Sequence, residues 1–206
     1  MRRGIVALGM ALVLLFLCAG CGENKTEKKD YPPYYETVKG LFGQNIETVI
    51  TAMELKTEDF TYEHPLYSYN QPVQYLGHDF TMRLTVNGEG NCVNVMFTIL
   101  VEDDPEKAAN TTLDIRDKLM ALYGESETNK YHDGRPQLET MTYDALYTEL
   151  SNDENAGSKG LQWILGKETG PAKKDSSLIF TCAYPVAGND SRATLIRLVY
   201  TLDTTA

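Results

Sequence analysis

Apolar and polar residues alternate most clearly between Leu76 and Val101. Phe80, Met82, Leu84 and Val86 interleave with Asp79, Thr81, Arg83 and Thr85. Beyond Asn87-Gly88-Glu89-Gly90-Asn91 the pattern resumes, with Val93, Val95, Phe97, Ile99 and Val101 on one side and Asn94 and Thr98 on the other. A period of two around a Gly/Asn turn predicts an antiparallel hairpin with one buried face and one wetter face. The spacing then changes. Ala108, Thr112, Ile115, Leu119 and Leu122 recur at helical intervals, with Asp104 as cap, Pro105 at the first helical position and Gly124 as the stop. This predicts a helix over about 105–123, its stripe suited to the apolar face of the hairpin.

A shorter stripe, Ile46, Val49, Ile50 and Met53 behind Asn45, predicts an earlier helix. Pro65 and Pro72 then interrupt a tyrosine-rich passage that reads as irregular. After a polar loop from Glu125 to Pro136, Leu138, Met141, Ala145, Leu146 and Leu150 predict another helix. Ser151 to Gly160 reads as a loop. Strands are expected at Leu161–Leu165, Leu178–Tyr184 and Thr194–Leu202, with Gly188-Asn189-Asp190 as a turn. The fold class is therefore α+β: an antiparallel sheet with helices packed on one face. The globular domain spans 36–206, with two helix-plus-meander halves at 36–125 and 137–206.

Ahead of this domain the chain opens Met1-Arg2-Arg3 and runs apolar from Ile5 to Leu17, broken only by Gly9. A basic start before a short apolar core is the layout of a secretory signal. Gly4 to Gly20 is shorter than the roughly 20 residues a helix needs to span hydrocarbon. Cys18-Ala19-Gly20-Cys21 follows, and it resembles the lipobox of type II signal peptides, where small residues precede an acylated cysteine. One position departs, since Leu17 stands four before Cys21, and Cys18 occupies the place where the family usually has leucine. The resemblance implies a signal peptide over 1–20, lipidation and palmitate-type acylation at Cys21, and anchoring on the extracytoplasmic face of a cell membrane by two acyl chains. Residues 21–35 form the tether. Its Gly22–Asp30 stretch is polar and reaches on the order of 15–18 Å as a coil.

Charge narrows the partners. The whole chain carries a formal −10, and removing Arg2 and Arg3 leaves 17 basic against 29 acidic residues, a formal charge of −12. Nucleic-acid binders need a basic surface to displace counterions, so no nucleic-acid partner is expected. The excess of carboxylates favours encounter with a basic protein. Past Cys21 only Cys92 and Cys182 remain. Outside the cytoplasm they are a candidate disulfide whose loop closure is valued at about 4–5 kcal/mol. The alternative is two separate buried thiols.

Catalytic patterns are missing. His64, His78 and His132 have no metal-ligand spacing, and no metal or cofactor is expected. Asn152-Asp-Glu-Asn155 and Glu102-Asp-Asp104 lack the alternate-position ligand pattern of a calcium loop. His78 and Asp79 point to opposite faces of a strand and cannot pair with each other; His78 shares the parity of Phe80 and reads as packing at the strand end. His132-Asp133 sits in a loop with a turn-forming Asp-Gly, where it is the candidate acid/base pair of an alternative reading as an envelope hydrolase. Gly88-Glu-Gly90 is a hairpin turn, and Gly157-Ser-Lys-Gly160 lacks the rest of a phosphate loop. Among 13 tyrosines, Tyr62, Tyr67, Tyr69 and Tyr75 cluster in the Pro-broken segment and form a candidate binding surface.

The phrase Gly43-Gln-Asn-Ile-Glu47-Thr-Val49 resembles the helix starts of β-lactamase-inhibitor-like modules found in outer-membrane assembly factors and inhibitor proteins. That resemblance covers about a dozen residues, implies only an α+β module, and assigns no functional residue. Together these features point to a tethered, non-catalytic protein-binding, adaptor or inhibitor module, with contact through one sheet face or the tyrosine-rich segment.

Overall fold

The computed structural model describes residues 39–127, 137–152, 157–167, 171, 175–184 and 193–202. Residues 1–20 and 21–35, expected as signal peptide and tether, with Cys21, and also His132-Asp133, Asp153–Asn155 and the expected turn at Gly188–Asp190, lie outside the described residues. The described residues all belong to one compact unit, Tyr31–Ala206.

Three α-helices and eight strands make an α+β fold among the described residues. Helix α1 spans Ile46–Ala52 behind Asn45, whose Oδ1 accepts the Glu47 amide at 2.9 Å. Strands β1 (Phe60–Glu63), β2 (Leu66–Tyr69) and β3 (Val73–Tyr75) follow, then the long hairpin β4 (His78–Val86) and β5 (Cys92–Glu102). Helix α2 (Pro105–Tyr123) starts with the Asp104 Oδ1 accepting from the Lys107 amide and ends at Gly124, whose φ of 79° suits a glycine. Helix α3 (Tyr143–Ser151) is capped by Thr142, and β6 (Gly157–Lys167), β7 (Asp175–Tyr184) and β8 (Ala193–Leu202) complete the chain.

Two expected loops are strands in part. The tyrosine-rich passage that Pro65 and Pro72 interrupt holds β1 to β3, with His64 and Pro65 as the two-residue turn between Glu63 and Leu66. The proline read as a breaker therefore makes a hairpin. Strand β6 begins at Gly157, inside the expected Ser151–Gly160 loop. There Lys159 and Gly160 pair with Cys182 and Thr181, so a partner strand supplies what local composition lacks.

All sheet pairings are antiparallel, in the order β1-β2-β4-β5-β8-β7-β6, with β3 on the remaining length of β4's outer edge. The two meanders meet where Asn94–Glu102 of β5 pairs with Ala193–Thr201 of β8. Each half contributes a helix and strands to one continuous sheet.

The three helices pack on a single face. Ala108, Ala109, Thr112, Ile115 and Leu119 of α2 are buried, as are Val49 and Ile50 of α1 and Leu146 and Leu150 of α3. Opposite them lie Phe80, Met82 and Leu84 of β4, Val95 and Phe97 of β5, Leu198 and Tyr200 of β8, and Leu178 and Phe180 of β7. An aromatic cluster forms the middle: Tyr75 stacks on Phe97 with centroids 4.6 Å apart, and Phe80 and Tyr200 meet Phe97 edge-on at 6.0 and 6.3 Å. Truncation of Phe97 opens a cavity at the point where β4, β5 and β8 share their packing. Phe97→Ala is expected to cost about 3–5 kcal/mol in urea unfolding.

Candidate functional site

Of the four tyrosines expected as a binding surface, Tyr62, Tyr67 and Tyr69 lie together on the β1–β2 hairpin and Tyr75 does not. Tyr75 is 2% exposed and hydrogen-bonds the Tyr200 hydroxyl within the core. Burial, with the neighbouring tyrosines, holds the Tyr200 hydroxyl well above its usual pKa. Tyr67 and Tyr69 pack half-buried around Phe60, while Tyr62 is half exposed and lies against Tyr67 with centroids 4.4 Å apart. Register and alternation place Tyr62, Tyr67 and Tyr69 on the same face of the β1–β2 hairpin, whereas Tyr75, on β3, is drawn into the core.

The bridge between Cys92 and Cys182 does not form; both cysteines are free and buried. Cys182 and Ile99 both pair with Ile196, so Cys182 lies level with Ile99 and roughly 20 Å or more along the sheet from Cys92. A disulfide needs Cα atoms within about 7 Å. Cys92 sits 3.6 Å from the Asn94 carbonyl, and the Thr112 hydroxyl donates to the Cys182 sulfur at 3.6 Å. Burial pushes the two thiols up to about 12 and about 11 respectively. Neither is a nucleophile near neutral pH. Iodoacetamide at about pH 8 is expected to leave Cys92 and Cys182 unmodified in the folded protein and to alkylate both in denaturant, as read by peptide mass spectrometry.

Two polar groups on the helical side tie a helix to the sheet. Lys159 of β6, nearly buried, pairs with Glu149 of α3 at 3.1 Å, and the Tyr184 hydroxyl donates to the same carboxylate. This locks α3 to the β6 end of the sheet. The second group surrounds the β3–β4 turn, where Leu76 and Gly77 both take positive φ, 50° and 75°. A two-residue hairpin loop demands that geometry, which a leucine adopts reluctantly. Leu76 is buried, and its carbonyl accepts from Lys118 Nζ at 2.8 Å. Lys118 also meets Asp114 at 2.8 Å, and Asp114 meets His78 Nε2 at 2.6 Å. The partner of His78 is thus one helix away, on α2, where no sequence spacing advertises it.

Burial works to raise the Asp114 carboxyl, but hydrogen bonds from Lys118 and His78, with their charges, outweigh it and hold the group below its usual range. A depressed folded value stabilises the fold above the unfolded value of about 4, and that contribution is lost as pH falls through the folded value. Asp114 is half exposed, so the effect is small. Asp114→Asn is expected to lower the melting temperature near neutral pH, with the gap to the native chain closing below about pH 4.

Among the described residues no group of three or more His, Cys, Asp or Glu is placed to hold a metal ion. An open cleft of about 420 Å³ lies beside β6, lined by Lys39, Tyr123, Glu125, Glu127, Trp163 and Ile164. Its floor is structural: the Trp163 indole donates to the Gly124 carbonyl at 3.0 Å, and the Glu127 amide donates to the Gln162 carbonyl at 2.8 Å.

The face of the sheet turned away from the helices is a further candidate surface. Register lays it out in rows across the strands. Met96, Val199 and Ile179 form one row, with Arg83 at one end and Gln162 at the other. Thr81, Thr98, Arg197, Thr181 and Gly160 form the next, and Leu100, Leu195, Ala183 and Ser158 the third. Leu100 is 48% exposed, and Ile164, one row beyond Met96–Ile179, is 44% exposed. Asn94 Oδ1 and Thr181 Oγ1 on this face are buried without a hydrogen-bond partner. Alternation in the hairpin marks Asp79, Thr81, Arg83, Thr85, Asn94 and Thr98 as its wetter side, but not that no helix among the described residues covers it.

No family model, curated protein or solved structure matches the chain. No helix among the described residues is long and apolar enough to cross a membrane.

Proposed function

We propose that the chain is a non-catalytic binding module, tethered to the outer side of a membrane through Cys21, that holds a protein partner against its open sheet face. The observation that carries this reading is the pair of apolar rows on that face, Met96-Val199-Ile179 and Leu100-Leu195-Ala183, with large side chains left in water at Leu100 and Ile164. Exposed apolar residues scattered singly are ordinary, whereas contiguous ones rimmed by polar groups mark contact surfaces. Interfaces also favour Met and Arg, and both stand here. A sheet presents such rows rigidly, so little conformational entropy is lost on binding.

The test is capture from envelope extract by the full chain in non-ionic detergent, set beside the same chain carrying Leu100→Ser and Ile164→Ser. Both residues are exposed, so the variant is expected to fold with an unchanged melting temperature. A stoichiometric partner retained by the native chain and lost by the variant is the expected result. An identical captured set from both chains overturns the assignment of the face.

A further inference from the structure

We propose that the partner segment received by the open face is acidic, with carboxylates meeting Arg197 and Arg83. This rests on the reading of that face as the contact surface and adds the chemistry of what it receives. The chain has 29 Asp and Glu residues, yet none falls in the rows described above. The face's carboxylates among the described residues are Glu63 of β1, Asp79, Glu102 and Asp175, at or next to strand ends, with Asp79 level with Leu100. Its interior charges are arginines alone. Among the described residues no hydrogen bond or ion pair joins either guanidinium to another residue, although the chain as a whole offers carboxylates in excess.

Arg197 occupies the middle of the threonine row, between Thr98 and Thr181, with an apolar row on each side. A guanidinium framed by hydroxyls and apolar walls is arranged for a carboxylate that arrives with apolar neighbours, because the walls exclude water and strengthen the bidentate pair. Arg83 and Arg197 stand two strands and two residues apart, about 12 Å between Cα atoms. Residues four apart on one side of an extended segment are about 13 Å apart, so one strand-like segment reaches both. A second copy of this chain is a poor occupant, since a two-fold contact through this face would bring no carboxylate of its central rows to either arginine.

Net charge points the other way, because a chain at −10 attracts basic proteins at long range. Screening decides between the two. At physiological salt the Debye length is about 8 Å, shorter than the width of this face, so a docked segment responds to the arginines beneath it and little to distant carboxylates.

The experiment measures binding of three synthetic peptides to the full chain in non-ionic detergent by fluorescence anisotropy. The peptides share one strand-forming sequence of alternating Thr and Val and differ only in two positions four apart, filled by Glu, Lys or Gln. The Glu peptide is expected to bind tightest, and Arg83→Gln with Arg197→Gln to weaken it about tenfold or more. Lys107→Gln, on the helical side, is expected to leave it unchanged. Equal binding of the Lys or Gln peptide, indifference of the Glu peptide to the double variant, or no binding by any peptide overturns the inference. Binding without preference for Glu that is lost in the Leu100→Ser, Ile164→Ser chain retains the face and removes only its charge selectivity.

Discussion

Where β5 meets β8, Asn94–Glu102 lies antiparallel to Ala193–Thr201, and this long ladder turns two meanders into one sheet. A meander of three or four strands can bury only one face, against its own short helix. Joined at their last strands, the two meanders form a sheet broad enough to seat α2 across the seam, with Thr112 reaching Cys182 of β7 and Asp114 reaching His78 of β4. Strand pairing over nearly the full length of β5 also sets the register of every side chain on both faces, because a slip of one residue would exchange them. The aromatic cluster at Phe97 and Tyr200 holds that register from the helical side. The rows of the open face follow from it.

One-sided covering has a chemical consequence. Helical capping consumes apolar residues on one parity of each strand, and the other parity must be tolerable in water. Threonine meets that demand at positions 81, 85, 98, 181 and 201, combining β-propensity with a hydroxyl. Met96, Leu100, Ile179, Leu195 and Val199 do not meet it, since serine or threonine would serve a purely solvated sheet at least as well. Their presence on the open parity is the feature on which the proposed contact surface rests.

Much of this was legible in the order of residues. The hairpin at 78–102, helix 105–123 with its Asp104 and Gly124 ends, and the three final strands all lie close to where periodicity and capping put them. Local rules suffice there because each element carries its own signal. Legibility failed where long-range partners decide. Tyr75 reads as one of a surface group until the β3–β4 turn folds it beneath Phe97, and Cys92 and Cys182 read as a pair until the sheet places them at different levels. The His78–Asp114–Lys118 group is invisible for the same reason, since its members are brought together by α2 crossing the start of β4. The rows of the open face were legible only in the hairpin, where alternation named Thr81, Arg83 and Thr98; their neighbours across β8 and β7 depend on a strand order that no local pattern encodes.

Charge shows the same division between composition and placement. Counting residues describes a uniformly acidic molecule that should draw basic partners. The sheet sorts those charges by position, sending carboxylates to strand ends, loops and helix surfaces and leaving Arg83 and Arg197 alone among hydroxyls and apolar side chains. A carboxylate set beside Arg197 would be the simpler way to balance it, and positions 98 and 181 lie in reach on the flanking strands. Both hold threonine instead. Cross-strand ion pairs stabilise a sheet modestly, so their omission costs the fold little, while it keeps a guanidinium available at the middle of the exposed face.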